Sequence, residues 1–338
     1  MSTPGDSARS LVTRAAAIRP ALYLVIVLFS LLAALGYKLR TDGVFACPAS
    51  GYGSGHYLAY CQTGGYGDYD HGAFWFGLEP EAQRAATDAD VLFLGNSRMQ
   101  FAFSTEATAQ WFSSVAARFY LLGFSYGENA QFEGPLLDRL KPKASVYVIN
   151  VDRFFDESLV TLPTEALRHG SSDALERHEE KKRWQGFHKG ICAAVPAVCG
   201  HQVAFFRSRD SGAWELKGSE DFKAAAVSDA PSDEAADHWK RDAVLAEEFV
   251  SRLPVNRQCV ILTIAPWSAT NIQEANAIAS ALKLDLVAPK LEGLRTLDGD
   301  HLEHNCSARW SAAFFDAAGP RIQRCLQDAR TSARTSAR

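Results

Sequence analysis

No excess of positive charge runs through this chain. Its 35 lysines and arginines are outnumbered by 39 acidic residues, for a net charge of −4, so it lacks the basic face that nucleic-acid recognition needs. No C-x-x-C pair occurs, which argues against a structural zinc site, and nothing in the sequence asks for a metal or a cofactor. No cysteine precedes position 47, and no charged side chain interrupts residues 21–36.

That uncharged stretch, with Pro20 and Tyr37, approaches the ~17–25 residues that cross a bilayer. Arg9, Arg14 and Arg19 precede it and favour a cytoplasmic N-terminus, although Lys38 and Arg40 blunt the asymmetry. The expectation is a cytoplasmic tail at 1–19 and one transmembrane signal-anchor at 20–37, with a cleaved signal peptide as the competing reading. The remainder would then lie on the periplasmic or extracellular side of the inner (cytoplasmic) membrane, within reach of an envelope membrane-protein partner. Cysteine usage agrees with export. Cys47 and Cys61 bracket a Gly/Tyr-rich loop, Cys192 and Cys199 bracket a short apolar segment, and close pairs in loops read as local disulfides in an oxidising compartment.

Residues 38–85 are dense in glycine and tyrosine and read as a stapled juxtamembrane segment. From residue 86 the pattern changes. Short apolar runs at 91–94, 119–122, 146–151, 259–264 and 286–287 alternate with amphipathic stretches, which implies a parallel sheet covered on both faces. The expected fold is a three-layer α/β/α sandwich with a mainly parallel sheet, spanning 86–328 and interrupted by an insertion at 157–251. The polar repeat at 329–338 has nothing to bury and reads as disordered.

Two stretches carry chemistry. In Ala89-Asp-Val-Leu-Phe-Leu-Gly-Asn-Ser-Arg98, a buried strand ends at Gly95 and leaves Ser97 where a helix begins. In an open α/β sheet that carboxyl end is where ligands bind. Asp298-Gly-Asp-His301-Leu302 precedes the last helix. A serine hydroxyl needs a base, and an imidazole base needs an acceptor to fix its tautomer; Asp298 and His301, three apart on one loop, can share that task with His301 facing Ser97.

Here the chain resembles the SGNH (GDSL-like) hydrolase superfamily, in its G-x-S-R variant. Gly95-Asn96-Ser97-Arg98 is similar to the first block and Asp298-x-x-His301-Leu302 to the last. The resemblance implies Ser97 as nucleophile, His301 as base and then acid, and Asp298 as its orienting group. It also implies an oxyanion hole made of the Ser97 N–H, a glycine after the second strand and an asparagine after the third. Gly127 matches the glycine best, with Gly123 as fallback. The third block departs from the family pattern and reads Asn150-Val-Asp152-Arg153, so Asn150, two residues early, is expected to substitute. Arg98 reads either as a loop anchor bonding a carboxylate such as Asp152 or, with Asp152, as a substrate contact. Trp184, His188 and Trp214 lie in the insertion, where loops over the strand ends would set specificity.

These readings converge on a membrane-anchored esterase or O-acyltransferase that handles small acyl groups, such as acetyl, on a cell-envelope glycan or another small ester. The alternative is a catalytically inactive SGNH-like module that binds or assembles an envelope complex. Three cysteines remain. Cys306 and Cys325 lie on one expected helix, nineteen residues and about 28 Å apart, too far for a disulfide, which needs Cα atoms within roughly 7 Å. Cys259 opens the fourth strand at the amino edge of the sheet, and the final helix returns Cys325 to that edge. The expected pairs are therefore Cys47–Cys61, Cys192–Cys199 and Cys259–Cys325, with Cys306 free.

Overall fold

A computed structural model of the chain describes residues 6–53, 55–62, 66–125, 128–156, 172–218, 222–230 and 238–336. Helix α1 spans Asp6–Thr41. Strands β1 (His56–Cys61) and β2 (Gly67–Asp68) and helices α2 (Asp70–Phe76) and α3 (Pro80–Thr87) lead into β3 (Val91–Asn96). Then come α4 (Ser97–Phe103), α5 (Glu106–Ser114), β4 (Phe119–Phe124), α6 (Ala130–Leu140) and β5 (Val146–Asn150). The second half holds α7 (Ser172–Ala194), β6 (Ala204–Ser208), β7 (Trp214–Lys217), β8 (Ala225–Ala226) and α8 (His238–Arg252). It closes with β9 (Val260–Thr263), α9 (Ile272–Leu282), β10 (Arg295–Thr296) and α10 (His304–Ser336).

Four strands pair in parallel, in the order β4-β3-β5-β9. Their side chains alternate between two cores, as the period of two requires. Leu92, Leu94, Ile149 and Leu262 pack with Phe74, Phe132 and Ile278 of α2, α6 and α9. Val91, Phe93, Val148 and Ile261 pack with Phe103, Phe112 and Trp310 of α4, α5 and α10. Burial on both faces is why these strands read as unbroken apolar runs.

The expected architecture is corrected on two counts. First, the fold is mixed α/β: beside the parallel sheet stands an antiparallel one of equal strand number, in the order β2-β1-β6-β7. It unites β1 and β2, from the 38–85 segment, with β6 and β7, from the 157–251 insertion, in the register His56↔Ser208 to Cys61↔Ala204. Strand 286–287 is reduced to a single parallel bridge, Leu262↔Leu286. Second, among the described residues no helix is long and apolar enough to cross a membrane, which overturns the transmembrane segment at 20–37. The uncharged run 21–36 is 16 residues, about 24 Å of helix against a hydrocarbon core of about 30 Å. It forms the middle of α1, whose apolar side chains from Leu22 to Leu35 are exposed. The tail read as disordered also differs, since α10 runs on to Ser336. Its alanines and arginines are strong helix formers.

The two sheets meet at the outer edge of β4. The Leu121 N–H donates to Ser211 O in the β6–β7 turn. Arg207 of β6, fully buried, donates to Leu121 O and Gly123 O, and Gln100 of α4 donates to the same two carbonyls at 3.0 and 2.8 Å. An edge strand's free backbone groups are thus satisfied from two directions. Disulfides join Cys47 to Cys61, Cys192 to Cys199, and Cys259 to Cys325; Cys306 is free and buried.

Candidate active site

The turn that presents Ser97 is built by Gly95 and Asn96. Gly95 has φ +148°, a value that disfavours side chains, and a Cβ there would come within 2.9 Å of the Asn150 Cβ. Asn96 then caps α4, its side-chain oxygen accepting from the Arg98 N–H at 3.0 Å. Ser97 is thereby the first residue of α4, half-buried at the carboxyl end of β3, with its N–H at the open end of the helix.

The loop between β10 and α10 reaches the same point. The His301 Nε2 lies 2.9 Å from the Ser97 Oγ, and its Nδ1 lies 2.7 Å from the Asp298 Oδ2. Asp298 Oδ1 also accepts the backbone N–H groups of Asp300 and His301, at 2.9 and 2.8 Å. Burial pushes the Asp298 carboxyl up, but the hydrogen bond and charge of His301 and the two N–H groups outweigh it and hold it below its ordinary range. The carboxylate therefore stays ionised and fixes the imidazole with Nδ1 protonated and Nε2 facing the serine. Phe101, one helical turn beyond Ser97, covers the imidazole with ring centroids 4.5 Å apart.

Arg98 joins the two segments a second time. Its Nη1 lies 2.5 Å from Asp152 Oδ2, its Nη2 lies 2.8 Å from Asp300 Oδ1, and its guanidinium stacks 3.8 Å above the Trp267 ring. Arg98 and Asp152 are therefore turned on each other, and the loop-anchor arrangement is the one observed. A cavity of about 570 Å³ opens at the carboxyl ends of β5 and β9, between Asp152, Asp156, Arg241, Asp242, Trp267 and Glu274, and so includes two of the partners of Arg98 in its lining. Glu274 is pushed up by burial and then by the like charge of Asp242.

The remaining sequence candidates are placed differently. Asn150 is fully buried and its amide is used inside the protein: Nδ2 donates to Asn96 Oδ1 at 3.3 Å, while Oδ1 accepts from the Ala265 N–H at 2.9 Å. It supports the Asn96 cap of α4, with both ends of its amide engaged inside the protein. Gly127 lies outside the described residues. Gly123 pairs with Gly95 across β3 and β4, where a Cβ would strike Gly95 O. Trp214 is 8% exposed and stacks on Phe205 with Phe101 edge-on to both, so it backs the aromatic cover of His301 and is not a substrate contact. His188 is buried between Tyr52 and the Cys47 carbonyl, and burial pushes it down to about 4. Trp184 is exposed on α7.

Several site residues were not singled out from the sequence. Glu133 of α6 is fully buried and accepts the Gly95 N–H at 3.1 Å, with burial holding its carboxyl well above the usual range. Phe101 could have been found by its i+4 spacing from Ser97. Asp300, Trp267 and Glu133 carry no local signal, because their roles exist only once distant segments meet. No family model, curated protein or solved structure matches the chain.

Proposed function

We propose that this protein is an SGNH-type serine esterase or acyltransferase that works through an acyl-Ser97 intermediate. The observation that carries the reading is the continuous relay from Ser97 to His301 to Asp298, at 2.9 and 2.7 Å, at the carboxyl end of a parallel strand. In the first half-reaction the Ser97 Oγ attacks the ester carbonyl while His301 Nε2 takes its proton. The tetrahedral oxyanion would be received by the Ser97 N–H at the open end of α4. Collapse breaks the bond to the leaving oxygen, which takes the proton from His301. In the second half-reaction water, or a sugar hydroxyl, gives its proton to His301 and attacks the acyl carbon, and Ser97 Oγ recovers the proton. Asp298 holds the imidazole and its transient charge throughout.

Three disulfides support an oxidising compartment as the place of work. Small acyl esters of an extracytoplasmic glycan are the substrate class that suits that location, and the cavity lined by Asp152 and Trp267 is the space we assign to the part of the substrate that is not transferred. A second reading, an inactive binding module, draws on one observation: the Asn150 amide is already engaged. The test is labelling by a fluorophosphonate with p-nitrophenyl acetate turnover alongside. Labelling and turnover lost in Ser97→Ala and His301→Ala support the esterase. Turnover that survives Ser97→Ala, or wild-type protein that takes no label, sinks it and favours the module.

A further inference from the structure

We infer that Arg98 and Asp300 form a positioning clamp whose task is the second half-reaction; this rests on the acyl-enzyme reading above. The nucleophile turn and the His301 loop are tied at two neighbouring points. Ser97 meets His301, and one residue along on each side Arg98 meets Asp300 at 2.8 Å. The two ties behave differently during turnover. Once Ser97 Oγ is acylated it has no proton to share, so the Ser97–His301 hydrogen bond is gone while His301 must still stand ready to deprotonate the incoming nucleophile. The Arg98–Asp300 ion pair involves no reacting atom and persists through the acyl-enzyme.

Arg98 is suited to be the fixed end of the clamp. Asp152, with a side chain 4% exposed, holds one guanidinium nitrogen, and Trp267 covers the guanidinium face. Asp300 is the movable end. Its side chain is 52% exposed, and its backbone N–H is bound to Asp298 Oδ1, the same oxygen that takes the His301 N–H. Pulling on Asp300 therefore sets the turn that carries both Asp298 and His301. An exposed ion pair adds little stability, so the clamp can be cut without unfolding the protein.

The full-length chain is mixed with excess p-nitrophenyl acetate and quenched over time, and acetylated Ser97 is followed by mass spectrometry to give separate acylation and deacylation rates. Asp300→Asn should leave acylation within about twofold and slow deacylation about tenfold, the scale on which loss of orientation acts, so that acetyl-Ser97 accumulates. Asp300→Glu should restore part of the rate. An equal fall in both rates, or no change in either, overturns the clamp, and so does a rise in KM with deacylation unchanged. Wild-type protein that never acetylates refutes the esterase reading separately. The clamp is then decided by hydrogen exchange: the amides of 299–302 exchange faster in Asp300→Asn if it holds the loop and at the wild-type rate if it does not.

Discussion

Arg207→Met isolates what holds the antiparallel sheet to the edge of β4. Arg207 is fully buried, with Nη2 2.7 Å from Asp70 Oδ2, and Phe74, Phe124 and Trp214 surround its guanidinium at 5.1–5.6 Å. Methionine keeps much of the length and the apolar contact. The carbonyls of Leu121 and Gly123 keep Gln100 as a donor, so losing their second partner costs little. What the substitution strands is Asp70, which is left with Tyr57 as its hydrogen-bond donor at 2.5 Å. Removing one member of a buried ion pair costs about 3–5 kcal/mol. Burial already pushes the Asp70 carboxyl up, with Arg207 opposing and Asp68 adding, to about 6. Without Arg207 it rises further, so above about 6 the folded variant holds a proton that folded wild type has released. The penalty relative to wild type therefore grows as pH rises above about 6 and is smallest and flat below it. Urea unfolding followed by tryptophan fluorescence, with the slope checked for constancy, should show that dependence. Adding Asp70→Asn should restore on the order of 1–3 kcal/mol at pH 8. A loss under about 1 kcal/mol, a loss independent of pH, or a double variant no better than the single would refute the account.

Asp298→Asn should keep the fold and lower kcat by about 10⁴-fold, against about 10⁶-fold for His301→Ala; equal losses would remove Asp298 from its orienting role. Glu133 keeps its proton when folded, whereas the unfolded chain ionises above its ordinary 4.5. Glu133→Gln should thus gain stability over wild type as pH rises above that value, by up to about 1.4 kcal/mol per pH unit, and gain nothing below it. A difference that is flat from pH 4 to 8 would show Glu133 to be ionised in the fold. Cys325→Ser opens a crosslink of sequence separation 66 and should cost about 4 kcal/mol, read as a fall in the urea midpoint with a steeper slope, because the unfolded chain without the crosslink exposes more surface.

The parts of the site legible in the sequence are those made by local chemistry. Gly95-Asn96-Ser97 is a strand end and a helix cap within three residues, and Asp298 and His301 share one turn, so spacing alone brings them near each other. The role of Asn150 is not legible in sequence because it depends on which neighbour takes its amide, and that neighbour, Asn96, lies on another strand. The packing of Trp214 is hidden for the same reason, since nothing near it in sequence announces Phe205 and Phe101. The parallel sheet was readable because burial on both faces leaves continuous apolar runs. The antiparallel sheet was not, because β1 and β6 are short, lie about 150 residues apart, and fall in segments that composition assigns to different parts of the chain. The apolar middle of α1 carried a strong signal that its length does not sustain.

The position of Cys306 bears on the order in which this chain must fold. It lies 19 residues from Cys325 in sequence, whereas the native partner, Cys259, lies 66 away. In an unstructured chain the shorter loop closes more easily, by about 1 kcal/mol or some sixfold in favour of the wrong pair. The bias reverses only when α10, which contains both Cys306 and Cys325, has formed and holds them about 28 Å apart. Oxidation ahead of that helix would trap a Cys306–Cys325 crosslink that bars the helix from forming. Oxidation after it leaves Cys325 one reachable partner of the two and Cys306 sheltered. α10 is thus the helix that must be complete before the two thiols it carries react.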